Sequence, residues 1–192
     1  MASKPGERKL QILQTVAHML EQPKGEKSTT AALAAKLELS EAALYRHFAS
    51  KAQMFEGLIE FIEQTVFGLI NKITHEEKSG LQQAEAIMSM LLGFAQKNRG
   101  MTRVLTGDAL VNEDERLQQR INQMLDRIET TLKQSLRMAV TQGEMNATAE
   151  VGAHANLLLC YVIGRWQQFA KSGFARDPVA QWPMQATILL HK

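Results

Sequence analysis

The chain has 192 residues, of which 45% are hydrophobic, and this length and content predict a folded core and exclude a disordered chain. The formal net charge of +2 is unevenly distributed. Residues 1–51 carry eight Lys or Arg and five Glu, a net charge of +3, whereas the remainder has a net charge of −1. A basic end on a near-neutral body favours a polyanion as the partner of that end.

The only cysteine, Cys160, excludes an intramolecular disulfide and a cysteine-based zinc site. Its apolar surroundings, "NLLLCYVIG", predict a buried and unreactive thiol. The N-terminus, "MASKPGERKL", lacks the apolar segment of a secretory signal. The longest apolar run, 157–163, falls short of the roughly 20 residues that span a membrane. We therefore expect a cytoplasmic protein.

Helical periodicity extends over the whole chain, and the alternation typical of strands is absent. These patterns predict an all-α fold of nine helices. Thr29 or Thr30 is the predicted N-cap of the second helix, and Ser40 that of the third. The nine predicted helices cover approximately 7–22, 31–37, 41–48, 51–75, 81–97, 101–110, 113–142, 148–171 and a short segment from 178.

The fourth helix carries an apolar stripe with spacings of three and four residues, which predicts its buried face. Phe61 lies about 100° away from the centre of this stripe, so it is a candidate anchor for a partner. The alternative is that Phe61 packs against the fifth helix. The predicted stripe consists of Phe55, Leu58, Ile59, Ile62, Val66, Leu69 and Ile73.

The second and third helices, separated by a short turn, form the pattern of a helix-turn-helix unit. Leu44 and Phe48 are four residues apart and are expected to pack inward. The opposite side of the third helix is then free for the major groove of DNA. We place a DNA-binding head at 1–51 and a helical regulatory and dimerisation body at 52–192. The predicted DNA contacts are Thr29, Thr30, Ser40, Glu41, Ala42, Tyr45, Arg46, His47 and Lys51.

The residue types at these positions suit DNA. Tyr45 offers a phenol to a phosphate or a flat surface to a thymine methyl, and Arg46 offers a fork to guanine or phosphate. His47 can donate to a phosphate oxygen. Lys51 lies at the N-terminus of the fourth helix, where free N–H groups favour an anion. Thr30 adds a hydroxyl donor at the start of the second helix.

Each assignment has a structural alternative. The alternatives are that Tyr45 is a partly buried core residue, that Lys51 is a solvated charge and that Thr30 is a simple cap. Glu41 repels phosphate, so it either accepts from cytosine or caps its helix, and we favour the cap.

The stretch "TTAALAAKLELSEAALYRHFASKAQMF" resembles the DNA-binding module of TetR-type transcriptional regulators. The hallmark is a helix-turn-helix ending in Tyr-x-His/Tyr-Phe, followed after a short gap by Lys. This resemblance implies a three-helix head and a larger helical body that dimerises through its last long helices.

Four stretches resemble the nucleoid occlusion branch of this family: "SEAALYRHF", "LIEFIEQTV", "LLGFAQKNRGMTRVLTGDAL" and "RLQQRINQMLDRIE". That resemblance implies binding to palindromic chromosomal sites. It also implies that the DNA-bound protein antagonises polymerisation of the division protein FtsZ near the nucleoid. The chain departs from the pattern at Ala49, where a rigid turn residue is expected, and at Lys97, where an arginine is expected. The implied FtsZ surface is Phe61, Met90, Gly93, Lys97 and Asn98.

The eighth helix, "GAHANLLLCYVIGRWQQF", is apolar on more than one face. Its small residues Gly152, Ala155 and Gly164 permit close approach of another helix. Specific DNA binding also needs two heads at a half-site spacing. We therefore predict a homodimer with a seam formed by the last long helices.

A ligand-responsive repressor of the same fold is the alternative function. Its pocket would be lined by Trp166, Phe94, Met88, Met90 and Met124, with His154 and Asn156 as polar groups, although methionines at helical spacing commonly fill cores. An enzyme is not expected, since the sequence has no Gly-rich phosphate loop, nucleophile elbow or metal-spaced His/Asp cluster. No cofactor or metal is predicted.

Overall fold

The computed structural model describes residues 5–22 and 29–190. This part of the chain is all-helical and contains nine helices, as predicted. None of the helices described is both long and apolar enough to cross a membrane. The helices are α1 (Pro5–Met19), α2 (Thr30–Lys36), α3 (Glu41–Tyr45), α4 (Lys51–Glu76), α5 (Gly80–Lys97), α6 (Arg99–Leu105), α7 (Glu115–Thr141), α8 (Val151–Lys171) and α9 (Trp182–Leu190).

Hydroxyl caps define the starts of the short head helices. Thr29 Oγ1 accepts a hydrogen bond from Ala32 N at 3.1 Å, and Ser40 Oγ accepts one from Ala43 N at 3.2 Å. Between them, Glu38 has a φ of 54°, a left-handed conformation that ends α2 and reverses the chain. The short turn predicted between the second and third helices is therefore confirmed, and Thr29 rather than Thr30 is the cap.

Several helices are shorter than their patterns predict. Helix α3 ends at Tyr45 instead of position 48, because the N–H groups of His47 and Phe48 both bond to Leu44 O in a tightened last turn. Helix α6 ends at Leu105, since Gly107 adopts a φ of 75° and begins a series of turns. Helix α9 begins at Trp182, after a turn in which Asp177 Oδ1 accepts from Val179 N.

The buried face of α4 follows the predicted stripe as far as Val66. Phe55, Ile62 and Val66 are buried, but Leu69 keeps 40% of its surface exposed and Ile70 is buried instead. Helix α4 packs against α1, α5, α6 and α7. Which of its residues are buried therefore depends on where these four neighbours lie around it, and one straight stripe does not describe the whole buried face.

The head packs against the body through α1 and α6. Gly100, the second residue of α6, approaches the backbone of Ala17 in α1 so closely that an added Cβ would lie 1.8 Å from Ala17 O. Only glycine permits this approach. The body core forms around α5, α7 and α8, where Trp166 is fully buried and its Nε1 donates to Leu91 O at 3.1 Å.

Cys160 is exposed in the single chain, so the prediction of a buried thiol is wrong. The apolar run that suggested burial belongs to a helix with two faces. Leu158 and Leu159 point into the core of their own chain, whereas Leu157 and Cys160 lie on the other side of α8. A run of apolar residues alone does not distinguish a monomer core from an uncovered face.

Candidate nucleic-acid interface

Helix α3 has one buried and one exposed side, as its sequence predicts. Leu44 is fully buried, and Phe48 is buried just beyond the helix end. Tyr45 keeps 42% of its surface exposed, and Arg46 is exposed as well. Tyr45 is therefore not a core residue of the single chain. Two apolar anchors hold the segment on the head while its polar side chains face outward.

A hydrogen-bonded chain connects the starts of α2 and α3 on this outer side. Tyr45 OH donates to Thr30 Oγ1 at 3.5 Å, and Thr30 Oγ1 donates to Glu41 Oε2 at 3.0 Å. Three of the nine predicted contact residues are thus brought together, although they are up to 15 residues apart in sequence. Glu41 does not cap α3, because Ser40 does, so the favoured interpretation of Glu41 is wrong.

Lys51 borders the same surface at the N-terminus of α4. It shares a small cleft with Thr29 and Thr30. Its Nζ forms an ion pair with Glu113 Oε1 and lies 5.6 Å from the centre of the Phe55 ring. Lys51 is therefore not a simple solvated charge, although 41% of its side chain remains exposed.

Glu113, the ion-pair partner of Lys51, was not predicted from the sequence. It is 62 positions from Lys51 and lies between α6 and α7. The only sequence feature that pointed to Glu113 was the acidic cluster "NEDE" at 112–115, in a chain whose N-terminal segment is basic. Composition alone does not state which basic residue such a cluster meets.

The remaining predicted contacts lie on the same short segment. Ala42 is exposed, and His47 is half-buried beside the Phe48 anchor. The hydroxyl of Ser40 is occupied as a cap. On the neighbouring α1, Lys9 Nζ lies 5.7 Å from the Phe48 ring centre, which adds a positive charge beside α3. Three further basic residues counted in the head, Lys4, Lys24 and Lys27, lie outside the described residues.

An ion pair joins α4, the helix that begins in the head, to α7 of the body. Arg120 Nη2 donates to Glu63 Oε2 at 2.7 Å, and Arg120 Nη1 donates to the backbone oxygen of Glu56 at 3.4 Å. Hydrogen bonding to the Glu63 carboxylate raises the pKa of Arg120 above its ordinary value. Because α4 begins in the head, this contact constrains the direction in which the head projects.

Two family descriptions cover most of the chain. The model of bacterial regulatory proteins of the tetR family matches residues 16–58, and that of the SlmA-like, tetracyclin repressor-like C-terminal domain matches residues 78–192. The chain belongs to the TetR family. Its relatives place it in the SlmA-like branch. It is 50% identical to the nucleoid occlusion factor SlmA of Alteromonas mediterranea over 184 residues, which cover 96% of this chain and 94% of that protein.

Two further comparisons agree with this assignment. The nucleoid occlusion factor SlmA of Marinomonas sp. is 48% identical over 189 residues, covering 98% of this chain and 96% of the relative. A TetR transcription regulator of Haloarcula marismortui has a TM-score of 0.81 at 14% identity, covering 96% of this chain and 97% of that structure. The structural likeness supports the fold, and the sequence identity supports the branch.

The TetR-family body has an uncovered apolar face on its last helices. On α8, Ala153, Leu157, Cys160 and Gly164 follow one another at spacings of four, three and four residues and are all exposed. On α9, Ile188 keeps 78% of its surface exposed. Of the small residues predicted for a seam, Gly164 lies on this face. Ala155 is instead buried in its own chain, and Gly152 lies beside Lys133.

The side chains predicted for a partner surface border α1 at two places. Phe61 is half-buried and lines a shallow cleft with Leu10 and Leu13 of α1. Lys97 and Asn98 line a second cleft beside α1, together with Gln14, Ala17 and His18 of that helix.

Helix α5 carries the other members of this surface. Met90, Gly93 and Lys97 are spaced three and four residues apart, and a Cβ added at Gly93 would meet nothing within 4 Å. Asn98 is held at the junction of α5 and α6, where its Nδ2 donates to Phe94 O at 2.8 Å and its backbone oxygen accepts from Thr102. The predicted surface therefore combines the half-buried Met90 and Gly93 with the exposed Lys97 and with Asn98, which hydrogen bonds hold in place.

Four of the five apolar side chains predicted to line a ligand pocket pack in the core of this TetR-family body, and the fifth, Met90, is half-buried. Trp166, Met88 and Met124 are fully buried. The two polar groups do not converge on one cavity, because His154 Nε2 contacts Leu189 O at 2.6 Å whereas Asn156 Nδ2 donates to Glu129 Oε2 at 3.0 Å. These residues join α8 to its neighbouring helices.

Proposed function

We propose that the protein is a sequence-specific, homodimeric DNA-binding protein of the cytoplasm that associates with the nucleoid and acts as a nucleoid occlusion factor. The head, 1–51, reads DNA, and the body, 52–192, dimerises and carries the partner surface. When bound to DNA, the protein antagonises polymerisation of FtsZ and blocks septum formation over the chromosome. The full-length identity to SlmA proteins supports the assignment.

The observation that carries the DNA-binding proposal is the convergence of Thr30, Tyr45 and Lys51 on the outer side of the head. Hydroxyl, phenol and ammonium groups from three helices lie beside one another there. Phosphate contacts of this kind position a recognition helix, while side chains such as Arg46 are available to base edges.

Dimerisation follows from the uncovered face of α8 and α9. Leu157 on α8 and Ile188 on α9 are large apolar side chains that remain 53% and 78% exposed in the single chain. Burying them against a second copy gains hydrophobic free energy, and the small residues beside Leu157 let two α8 helices approach. A two-fold dimer presents two heads, so the DNA site is expected to be palindromic.

The DNA contacts are tested by substitution. Lys51→Ala and Tyr45→Ala are expected to weaken binding to selected and random duplexes alike, because both residues are assigned to phosphate. The measurement is fluorescence anisotropy with labelled duplexes at several salt concentrations. Lys72→Ala, which removes an exposed charge from the far end of α4, is the matched control. Unchanged affinity in both head variants contradicts the contact assignment.

The FtsZ surface is assigned to Phe61, Met90, Gly93, Lys97 and Asn98. Phe61→Ala is expected to leave DNA affinity unchanged and to remove FtsZ binding, measured by co-sedimentation. The matched control is Phe67→Ala on the same helix. Phe67 faces α7, where Arg127 Cζ lies 3.8 Å from the centre of the Phe67 ring. Equal loss of FtsZ binding in both variants contradicts a specific role for Phe61.

A further inference from the structure

The loop between α6 and α7 places one carboxylate on the head. Asn112 has a φ of 70°, and Glu113 N donates to Leu110 O at 3.0 Å, so the backbone on both sides of Glu113 has a defined conformation. Leu110 is buried and Asp114 caps α7, which fixes the two ends of this turn. The Glu113 side chain is only 17% exposed. Its carboxylate is thus held by the body in one place.

The group that this carboxylate meets is Lys51 of the DNA-binding surface. Glu113 Oε1 accepts a hydrogen bond from Lys51 Nζ, at the first residue of α4. The N-terminal N–H groups of this 26-residue helix favour an anion at the same end. The Glu113 carboxylate therefore already binds the Lys51 ammonium group, which the proposed function assigns to a DNA phosphate.

We propose that Glu113 is an intramolecular competitor of the DNA phosphate at Lys51 and thereby limits the affinity of the protein for DNA. The inference rests on the proposed function, since it requires Lys51 to contact phosphate. Carboxylate and phosphate oxygens accept from the same ammonium donors, and a paired ammonium attracts a second anion less strongly. A DNA phosphate that binds Lys51 must displace the Glu113 carboxylate at least in part. The free energy lost from the Lys51–Glu113 pair is then subtracted from the free energy of DNA binding.

The pair also links the two parts of the molecule. Lys51 belongs to the start of α4, and Glu113 belongs to the α6–α7 loop of the body. A phosphate that binds Lys51 in place of Glu113 removes one contact between the head and this loop. DNA binding and the head–body contact at Glu113 are consequently coupled, and each weakens the other.

The test compares Glu113→Gln with Glu115→Gln in the full-length protein. Both variants remove one negative charge, but Glu115 is an exposed residue of α7 and is two positions away from the ion pair. Anisotropy with a selected duplex is expected to show about fivefold tighter binding for Glu113→Gln, which corresponds to about 1 kcal/mol at 25 °C. Glu115→Gln is expected to change affinity less than twofold. Equal effects of the two variants overturn the proposal.

Glu113→Asp separates the contact from the charge. It keeps the net charge but withdraws the carboxylate by one methylene, so it is expected to bind DNA more tightly than the wild-type protein. It also serves as a second variant if Glu113→Gln folds poorly, and melting temperatures establish that both are folded. Affinity in Glu113→Asp at or below the wild-type value overturns the proposal.

The Lys51→Ala background distinguishes failure of the inference from failure of the proposed function. In that background, Glu113→Gln is expected to have no further effect on DNA affinity. A gain that persists without Lys51 overturns competition at this residue. If Lys51→Ala itself leaves affinity unchanged, Lys51 is not a phosphate contact, and the assignment in the proposed function fails together with the inference. If Lys51→Ala weakens binding but Glu113→Gln does not strengthen it, only the competition fails.

Discussion

Gly100→Ala should weaken the packing of the head on the body, because the added methyl group of α6 would collide with the backbone of α1. The added Cβ would lie 1.8 Å from Ala17 O and 2.7 Å from Ala17 C. Real Cβ atoms essentially never come closer than 3.0 Å to such atoms, so α6 and α1 must move apart by about 1.2 Å, the difference between 3.0 and 1.8 Å. The obstacle is helix backbone, which cannot rotate away as a side chain would.

The magnitude follows from two opposing contributions. Overpacking of this kind costs up to about 3 kcal/mol, and the upper end applies because backbone meets backbone. Replacing a helical glycine by alanine returns up to about 1 kcal/mol through helix propensity. The net loss is then about 2 kcal/mol, which corresponds to a decrease in melting temperature of roughly 4–8 °C for a chain of this size.

Thermal unfolding followed by circular dichroism at a fixed protein concentration measures this loss. Gly68→Ala is the matched control, because Gly68 lies in the interior of α4 and its added Cβ meets nothing within 4 Å. It is expected to raise the melting temperature by a few degrees at most. A Gly100→Ala protein as stable as Gly68→Ala would refute the close contact between α1 and α6.

Three further outcomes are expected. Leu157→Asp should convert the dimer to a monomer in sedimentation velocity, whereas Val111→Asp, at another exposed apolar residue, should leave the dimer intact. Trp166→Phe should lower the free energy of unfolding by about 2 kcal/mol in denaturant titrations without changing DNA affinity, since it removes buried volume and the bond to Leu91 O. Hydrogen bonds from Arg116 lower the pKa of Asp114 to about 2, so its contribution to stability is present above the ordinary pKa near 3.8 and is lost as pH falls toward 2. The difference in melting temperature between the wild-type protein and Asp114→Asn should therefore be larger at pH 7 than at pH 2.5.

Local chemistry made much of the head predictable from sequence. The hydroxyl at Ser40 and the apolar pair Leu44 and Phe48 act over three or four residues, within the reach of sequence patterns. The exposure of Tyr45 followed from the same pattern. Where a helix ended early, as α3 does at Tyr45, the cause was the tightened last turn at Leu44 O, which propensity does not reveal.

Longer-range features were not predictable in the same way. The exposure of Leu69 depends on which sides of α4 its neighbouring helices cover, and that of Cys160 depends on which face of α8 its own chain covers. The ion pair between Lys51 and Glu113 joins residues 62 positions apart through a turn whose geometry is set by Asn112. Such contacts depend on tertiary packing and not on spacing along the chain.

Sedimentation of polymerised FtsZ with this protein, in the presence and absence of duplexes selected from its own genome, is the direct test of nucleoid occlusion. The amount of sedimented polymer is expected to fall only when a specific duplex is present, and a random duplex of equal length is expected to have little effect. Unchanged sedimentation under all conditions, with DNA binding intact, would contradict nucleoid occlusion and return the protein to the general class of TetR-family repressors.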